Sequence, residues 1–75
     1  MTDIIQEIGQ YSQNYRKYKL KLSQKDFCNI IGEKVVNISA FEKGRANNIK
    51  YVRYYVLVGG LDYLKGLNDL WHYGS

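Results

Sequence analysis

The chain has 75 residues, no proline, a single cysteine and a formal net charge of +4. At this length residues 1–75 form one small domain that buries a modest share of its surface, and a second copy packed on an apolar face is one way to add buried area. A lone cysteine excludes an internal disulfide and fits a reducing cytoplasm, and the longest apolar run, 54–61, is far too short to cross a bilayer.

The N-terminal stretch MTDIIQEIGQ is acidic and lacks a long apolar core, so it does not read as a signal peptide. Ile4, Ile8, Tyr11, Tyr15 and Tyr18 recur at steps of four and three, which is one apolar stripe on a helix. Asp3, with Gln6 three residues on, makes a capping box. The first helix is therefore predicted over 3–19, its tyrosines turned to the core and their hydroxyls at the rim.

Ser23 is a good N-cap with Asp26 in the first turn, so 24–31 is a second helix, with Phe27, Ile30 and Ile31 inward. Cys28 within it reads as a buried structural thiol. Gly32 suits a left-handed turn at the helix end. A third helix is predicted over 34–43, with Ile38 and Phe41 on its inner face and Gly44 ending it. Residues 45–48 form a polar connection, and Asn48 caps a fourth helix with Ile49, Val52, Tyr55 and Val56 inward. Gly59 and Gly60 break that helix. Leu61, Leu64, Leu67, Leu70 and Trp71 then repeat at helical spacing and define a fifth helix over 61–72. Val35-Val36 and 54–58 are β-prone, but no turn-flanked alternating pair exists to build a sheet. The predicted fold is all-α, a compact bundle of about five short helices.

Charge is more informative by position than in total. Ten of the eleven basic residues lie between Arg16 and Arg53 against Asp26, Glu33 and Glu42, so that segment carries +7. Both flanks are slightly acidic. Such concentration points to a surface facing a polyanion, with a merely solvated basic face as the alternative.

LSQKDFCNIIG followed by ISAFEKGR resembles the helix-turn-helix of the phage Cro and lambda-repressor-like family, also called the XRE family. Leu22, Ser23, Gln24, Phe27, Cys28, Gly32, Ile38, Ser39, Phe41, Glu42 and Gly44 match its pattern in one gapless register. The resemblance covers residues 4–65, with the helix-turn-helix core at 22–45. It implies that Gln24, at a helix start whose backbone N–H groups can meet a phosphate, contacts the DNA backbone and braces the recognition helix. Glu42 matches the family's buried carboxylate, which pairs with a base from the first helix. Lys17 is the partner in register, and Arg16 is the neighbour able to take its place.

The family's base-reading positions fall on Lys34, Val35, Val36, Asn37 and Ala40. Lys34 and Asn37 offer hydrogen bonds to base edges, and Val35, Val36 and Ala40 offer apolar contact to thymine methyl groups. The Val35-Val36 pair admits three readings: a reader of thymine methyls, a patch partly buried by a tilt of the third helix, or a protein-contact patch. Glu33 stands where a small apolar residue is usual, and facing phosphates it would be repelled. Gln24, Lys25, Lys43, Arg45, Asn47 and Lys50 match or adjoin the positions that flank the groove and supply backbone contacts. The resemblance also implies a homodimer through the C-terminal helix, with Leu67, Leu70, Trp71 and Tyr73 either forming that surface or closing the monomer's own core.

Catalysis has little to stand on. His72 is the only histidine, no second histidine or cysteine completes a metal site, and Gly59-Gly60 lacks the lysine and spacing of a phosphate loop. The expectation is a cytoplasmic, sequence-specific binder of double-stranded DNA, a Cro-like transcriptional repressor acting as a dimer. No enzymatic activity, cofactor or membrane is expected. The alternative is a helix-turn-helix module that acts by binding a protein through its third helix, as an inhibitor, antirepressor or antitoxin, with weak or non-specific DNA binding.

Overall fold

A computed structural model of the chain describes residues 4–46 and 48–73, the last three of them by backbone alone. The described residues form five α-helices and no strand: α1 (Ile4–Asn14), α2 (Gln24–Ile31), α3 (Val35–Glu42), α4 (Ile49–Gly59) and α5 (Leu61–Tyr73). Asp3, the expected first cap, lies outside the described residues.

The first helix departs from expectation in its second half. After Asn14 it widens into π-helical turns over Tyr15–Leu20, and Lys21 closes it in the left-handed region at φ 56°. The Lys21 N–H returns to the Arg16 carbonyl, a five-residue step. A π turn holds roughly one residue more than an α turn. The inward face therefore shifts: Tyr15 and Arg16 are both buried, Leu20 takes the next inward place, and Tyr18 is 71% exposed. The expected stripe holds through Tyr15 and fails at Tyr18. Tyr18→Ala should accordingly change stability by no more than about 0.5 kcal/mol, against about 3 kcal/mol for Tyr15→Ala. Thermal denaturation of the two variants checks this, and equal losses would contradict the widened turn.

Helix α2 starts and ends as its residues dictate. The Ser23 hydroxyl accepts from the Asp26 N–H at 3.1 Å, and Gly32 at φ 72° sends its N–H back to the Cys28 carbonyl. Phe27 and Cys28 are buried and Ile31 half-buried, but Ile30 is 60% exposed. At about 100° per residue, a face centred on Phe27, Cys28 and Ile31 leaves Ile30 roughly a quarter turn away. Burial also pushes the Cys28 thiol above its ordinary pKa, as suits a packing role.

Helix α3 is one residue shorter at each end than predicted and buries Ile38, Phe41 and Glu42. It crosses α1 at Gly9, where a Cβ would collide with the carbonyl oxygens of Phe41 and Glu42. Asn48 caps α4 by accepting from the Lys50 N–H at 3.0 Å. Tyr51 and Tyr55 are the buried residues of α4, with Val52 and Val56 half-buried; Ile49, expected inward, is exposed. Gly60 (φ 69°, ψ −152°) holds a conformation open only to glycine and turns the chain into α5. There Tyr63 is the core residue and Leu67 and Leu70 flank it, while Leu61 and Leu64 of the predicted stripe are exposed.

The interior is largely aromatic: Tyr15, Phe27, Phe41, Tyr51, Tyr55 and Tyr63, with Ile38 and Cys28 between. The hydroxyls of Tyr15, Tyr55 and Tyr63 are bonded inside the bundle. Ser12 donates to the Ile8 carbonyl and pairs with the Tyr63 hydroxyl at 2.7 Å. Tyr11 donates to the Tyr63 carbonyl at 2.8 Å, and Tyr15 to Asp62 at 2.9 Å. Among the described residues no buried side-chain nitrogen or oxygen lacks a partner, as a low-dielectric interior requires.

Candidate nucleic-acid interface

Glu42, at the end of α3, gathers four elements. Its Oε2 accepts from Arg16 Nε at 2.8 Å and from the Tyr55 hydroxyl, and its Oε1 accepts from Arg16 at 3.0 Å and from Gln24 Nε2 at 2.9 Å. Arg16 also donates to the Leu22 carbonyl at 2.7 Å. Arg16 and Glu42 are each 3% exposed. Burial alone would raise the Glu42 pKa; the hydrogen bonds from Arg16, Tyr55 and Gln24 outweigh it and hold the carboxyl below its ordinary range. Burial likewise works against the Arg16 charge, and the bond to Glu42 outweighs it.

The partner of Glu42 is thus Arg16 and not Lys17, which is exposed. The widened turns at Tyr15–Leu20 account for this correction, because they carry position 16 inward beside Tyr15. Through Gln24 the first turn of α2 is tied to the last turn of α3. Lys25 and Lys43, both exposed, follow the two bonded residues in sequence and so flank that junction, with exposed Arg45 beyond Gly44. Gln24 itself is half-buried, its amide nitrogen committed to Glu42. Asn47, expected to join this rim, lies outside the described residues.

At the other end of α3, Lys34, Val35 and Val36 are exposed, and Asn37 and Ala40 are half-buried. Val35 and Val36 are 42% and 68% exposed, so a tilt of α3 does not hide them. Lys34 supplies no side-chain cap. Glu33 does that work: its Oε1 accepts from the Lys34 N–H at 2.9 Å and from Asn37 Nδ2 at 3.0 Å. Its Oε2 accepts from the Tyr54 hydroxyl at 3.3 Å and sits 3.9 Å from Lys50 Nζ. The Lys34 N–H, then the Asn37 amide, hold the Glu33 carboxyl below its usual range. Lys50, expected on phosphate, therefore leans toward Glu33, with its ammonium 5.2 Å from the Tyr51 ring centre.

Glu33 and Tyr54 are the residues that sequence reasoning missed here. Glu33 read as an intruder, although its spacing of four from Asn37 was the available signal. Elsewhere, Ile4, Ile8, Ile49, Val52, Leu64 and Leu67 line a shallow apolar groove where α1, α4 and α5 meet. Leu67 and Leu70 of the expected C-terminal surface are half-buried, and the side chains of Trp71 and Tyr73 lie outside the described residues. Among the described residues no three His, Cys, Asp or Glu side chains gather as a metal site would need, and no helix is long and apolar enough to cross a membrane. Comparison with family models, with curated proteins and with solved structures finds no match to this chain.

Proposed function

We propose that the chain is a sequence-specific binder of double-stranded DNA, with α2, the Gly32 turn and α3 acting as a helix-turn-helix. The observation that carries this reading is the coupling of α2 and α3. Glu42 anchors α3 through Gln24 and Arg16, leaving Lys34, Val35 and Val36 exposed at its start and Lys25, Lys43 and Arg45 exposed around its end. A helix so anchored can enter a major groove while cations at its ends meet phosphates. The reading end then offers hydrogen bonds from Lys34 and Asn37 and apolar contact to thymine methyls. Bound as a dimer in the cytoplasm, the apolar groove between α1, α4 and α5 being one surface for it, the protein represses by occupying a promoter.

The test is a titration against duplex from the region beside its own gene, with random competitor, at two salt concentrations. Selective, salt-sensitive binding is expected. Lys43→Ala with Arg45→Ala should weaken binding roughly tenfold or more and lower the slope of log affinity against log salt by about 1.8, without changing sequence preference. A change in preference with an unchanged slope would contradict the assigned roles.

A second reading is favoured by the exposed apolar residues Ile30, Val35 and Val36. On that reading the same helices grip a protein and inhibit it. Absence of DNA binding at low salt decides for it.

A further inference from the structure

We propose that Glu33 is a positioning residue of the reading face: it pins the Asn37 carboxamide in one orientation, so that Asn37 selects adenine. The proposal rests on the DNA-binding reading above.

A free carboxamide can rotate by a half turn and exchange its donor and acceptor ends. An ionised carboxylate accepts only, so it can hold the NH2 end and not the carbonyl end. Glu33 Oε1 takes a hydrogen from Asn37 Nδ2 at 3.0 Å. It is itself held on three sides, by the Lys34 N–H, the Tyr54 hydroxyl and the Lys50 ammonium. The clamp therefore reaches from α4 through Glu33 to one side chain on α3. With one Nδ2 hydrogen so engaged, Asn37 retains its Oδ1 acceptor and a second N–H donor. That pair complements the N6 donor and N7 acceptor of adenine in the major groove.

The cost of this device is a negative charge close to where phosphates would lie. Lys50 offsets part of it from 3.9 Å. The arrangement trades general affinity for choice of base, which distinguishes a clamp from a simple helix cap. A cap that is lost weakens binding to every sequence alike. A clamp that is lost weakens choice at one base pair while binding to unrelated duplex improves.

The experiment selects bound sequences from a randomised duplex library with the wild type, Asn37→Ala, Glu33→Ala and Glu33→Gln. Thermal melts establish that each variant is folded. Asn37→Ala should erase preference at one base pair per half-site, by about fivefold or more. Glu33→Ala should erase the same preference, and Glu33→Gln, whose carbonyl oxygen the Lys34 N–H keeps turned toward Asn37, should retain it. Both Glu33 variants should bind unrelated duplex about two- to fivefold more tightly. Glu33→Ala with the wild-type preference intact at that base pair overturns the proposal. So does uniform weakening in both Glu33 variants. If the wild type enriches no sequence at all, the DNA-binding reading fails first and this one with it. A measurement on the wild type alone guards against an unfolded variant. The side-chain amide hydrogens of Asn37 should exchange with water several-fold more slowly than those of exposed Asn29; equal rates overturn the clamp.

Discussion

Gly9→Ala should lower the melting temperature by roughly 10–20 °C, the reverse of what a helical glycine ordinarily predicts. In an open helix, alanine in place of glycine stabilises by about 0.5–1 kcal/mol. At Gly9 the added Cβ would meet the carbonyl oxygens of Phe41 and Glu42, the second at 2.9 Å. These are backbone atoms at the end of α3, so no side-chain rotation relieves the contact. The helices must part, and overpacking of this kind costs about 1–3 kcal/mol or more. In a domain of this size each kcal/mol moves the midpoint by roughly 4–8 °C. Thermal denaturation followed by far-ultraviolet dichroism reads the shift. A Gly9→Ala variant more stable than the parent would mean that α1 and α3 do not approach so closely.

The larger loss should follow Arg16→Ala. It leaves the Glu42 carboxylate, 3% exposed, without its cationic partner. Removing one member of a buried pair costs about 3–5 kcal/mol. Total stability for a chain of this length is roughly 4–11 kcal/mol, so the variant should lose a large share of it. Lys17→Ala, one residue on, should stay within about 0.5 kcal/mol of the parent. Urea denaturation of the pair tests the assignment, and a reversal of the two effects would sink it. Acid should act on the same cluster. Glu42 titrates lower in the folded chain than in the unfolded one, so its contribution is complete above the ordinary glutamate value of about 4.3. It is lost as pH falls through the depressed folded value. Glu42→Gln should remove that part of the acid dependence while lowering stability at neutral pH.

What could be read from the residues alone was what is decided locally. Ser23, Gly32, Asn48 and Gly60 each cap or turn the chain through atoms a few residues away, and each does so in the structure. Which face a helix buries was harder. The segment IKYVRYYVLVG is apolar nearly all round, so periodicity could not choose Tyr51 over Ile49. In α5 both Tyr63 and the pair Leu61-Leu64 lead at helical spacing into Leu67, and contact of Tyr63 with Tyr11, Tyr15 and Ser12 decides between them. The π turns depend on the same packing, and nothing in YRKYKL announces them. For the candidate interface, the buried Glu42 and the brace from Gln24 were legible through a resemblance, whereas the choice between Lys17, the partner in register, and its neighbour Arg16 was made by the π turns. Glu33 could not be assigned from its type, because its role is set by Tyr54 and Lys50 on a helix distant in sequence.

The tyrosine interior gives this protein a built-in optical reporter. Tyr63 meets Tyr11 and Tyr15 at 5.2 and 5.3 Å and stacks on Tyr55 at 5.5 Å, so these phenols sit in one fixed, asymmetric array. Such an array generates near-ultraviolet dichroism only while the rings keep their mutual angles. A state that retained its helices but let them slide would lose that signal and keep the far-ultraviolet one. Looseness in the packing of α1, α4 and α5 can therefore be followed without any label, by light that the core itself absorbs.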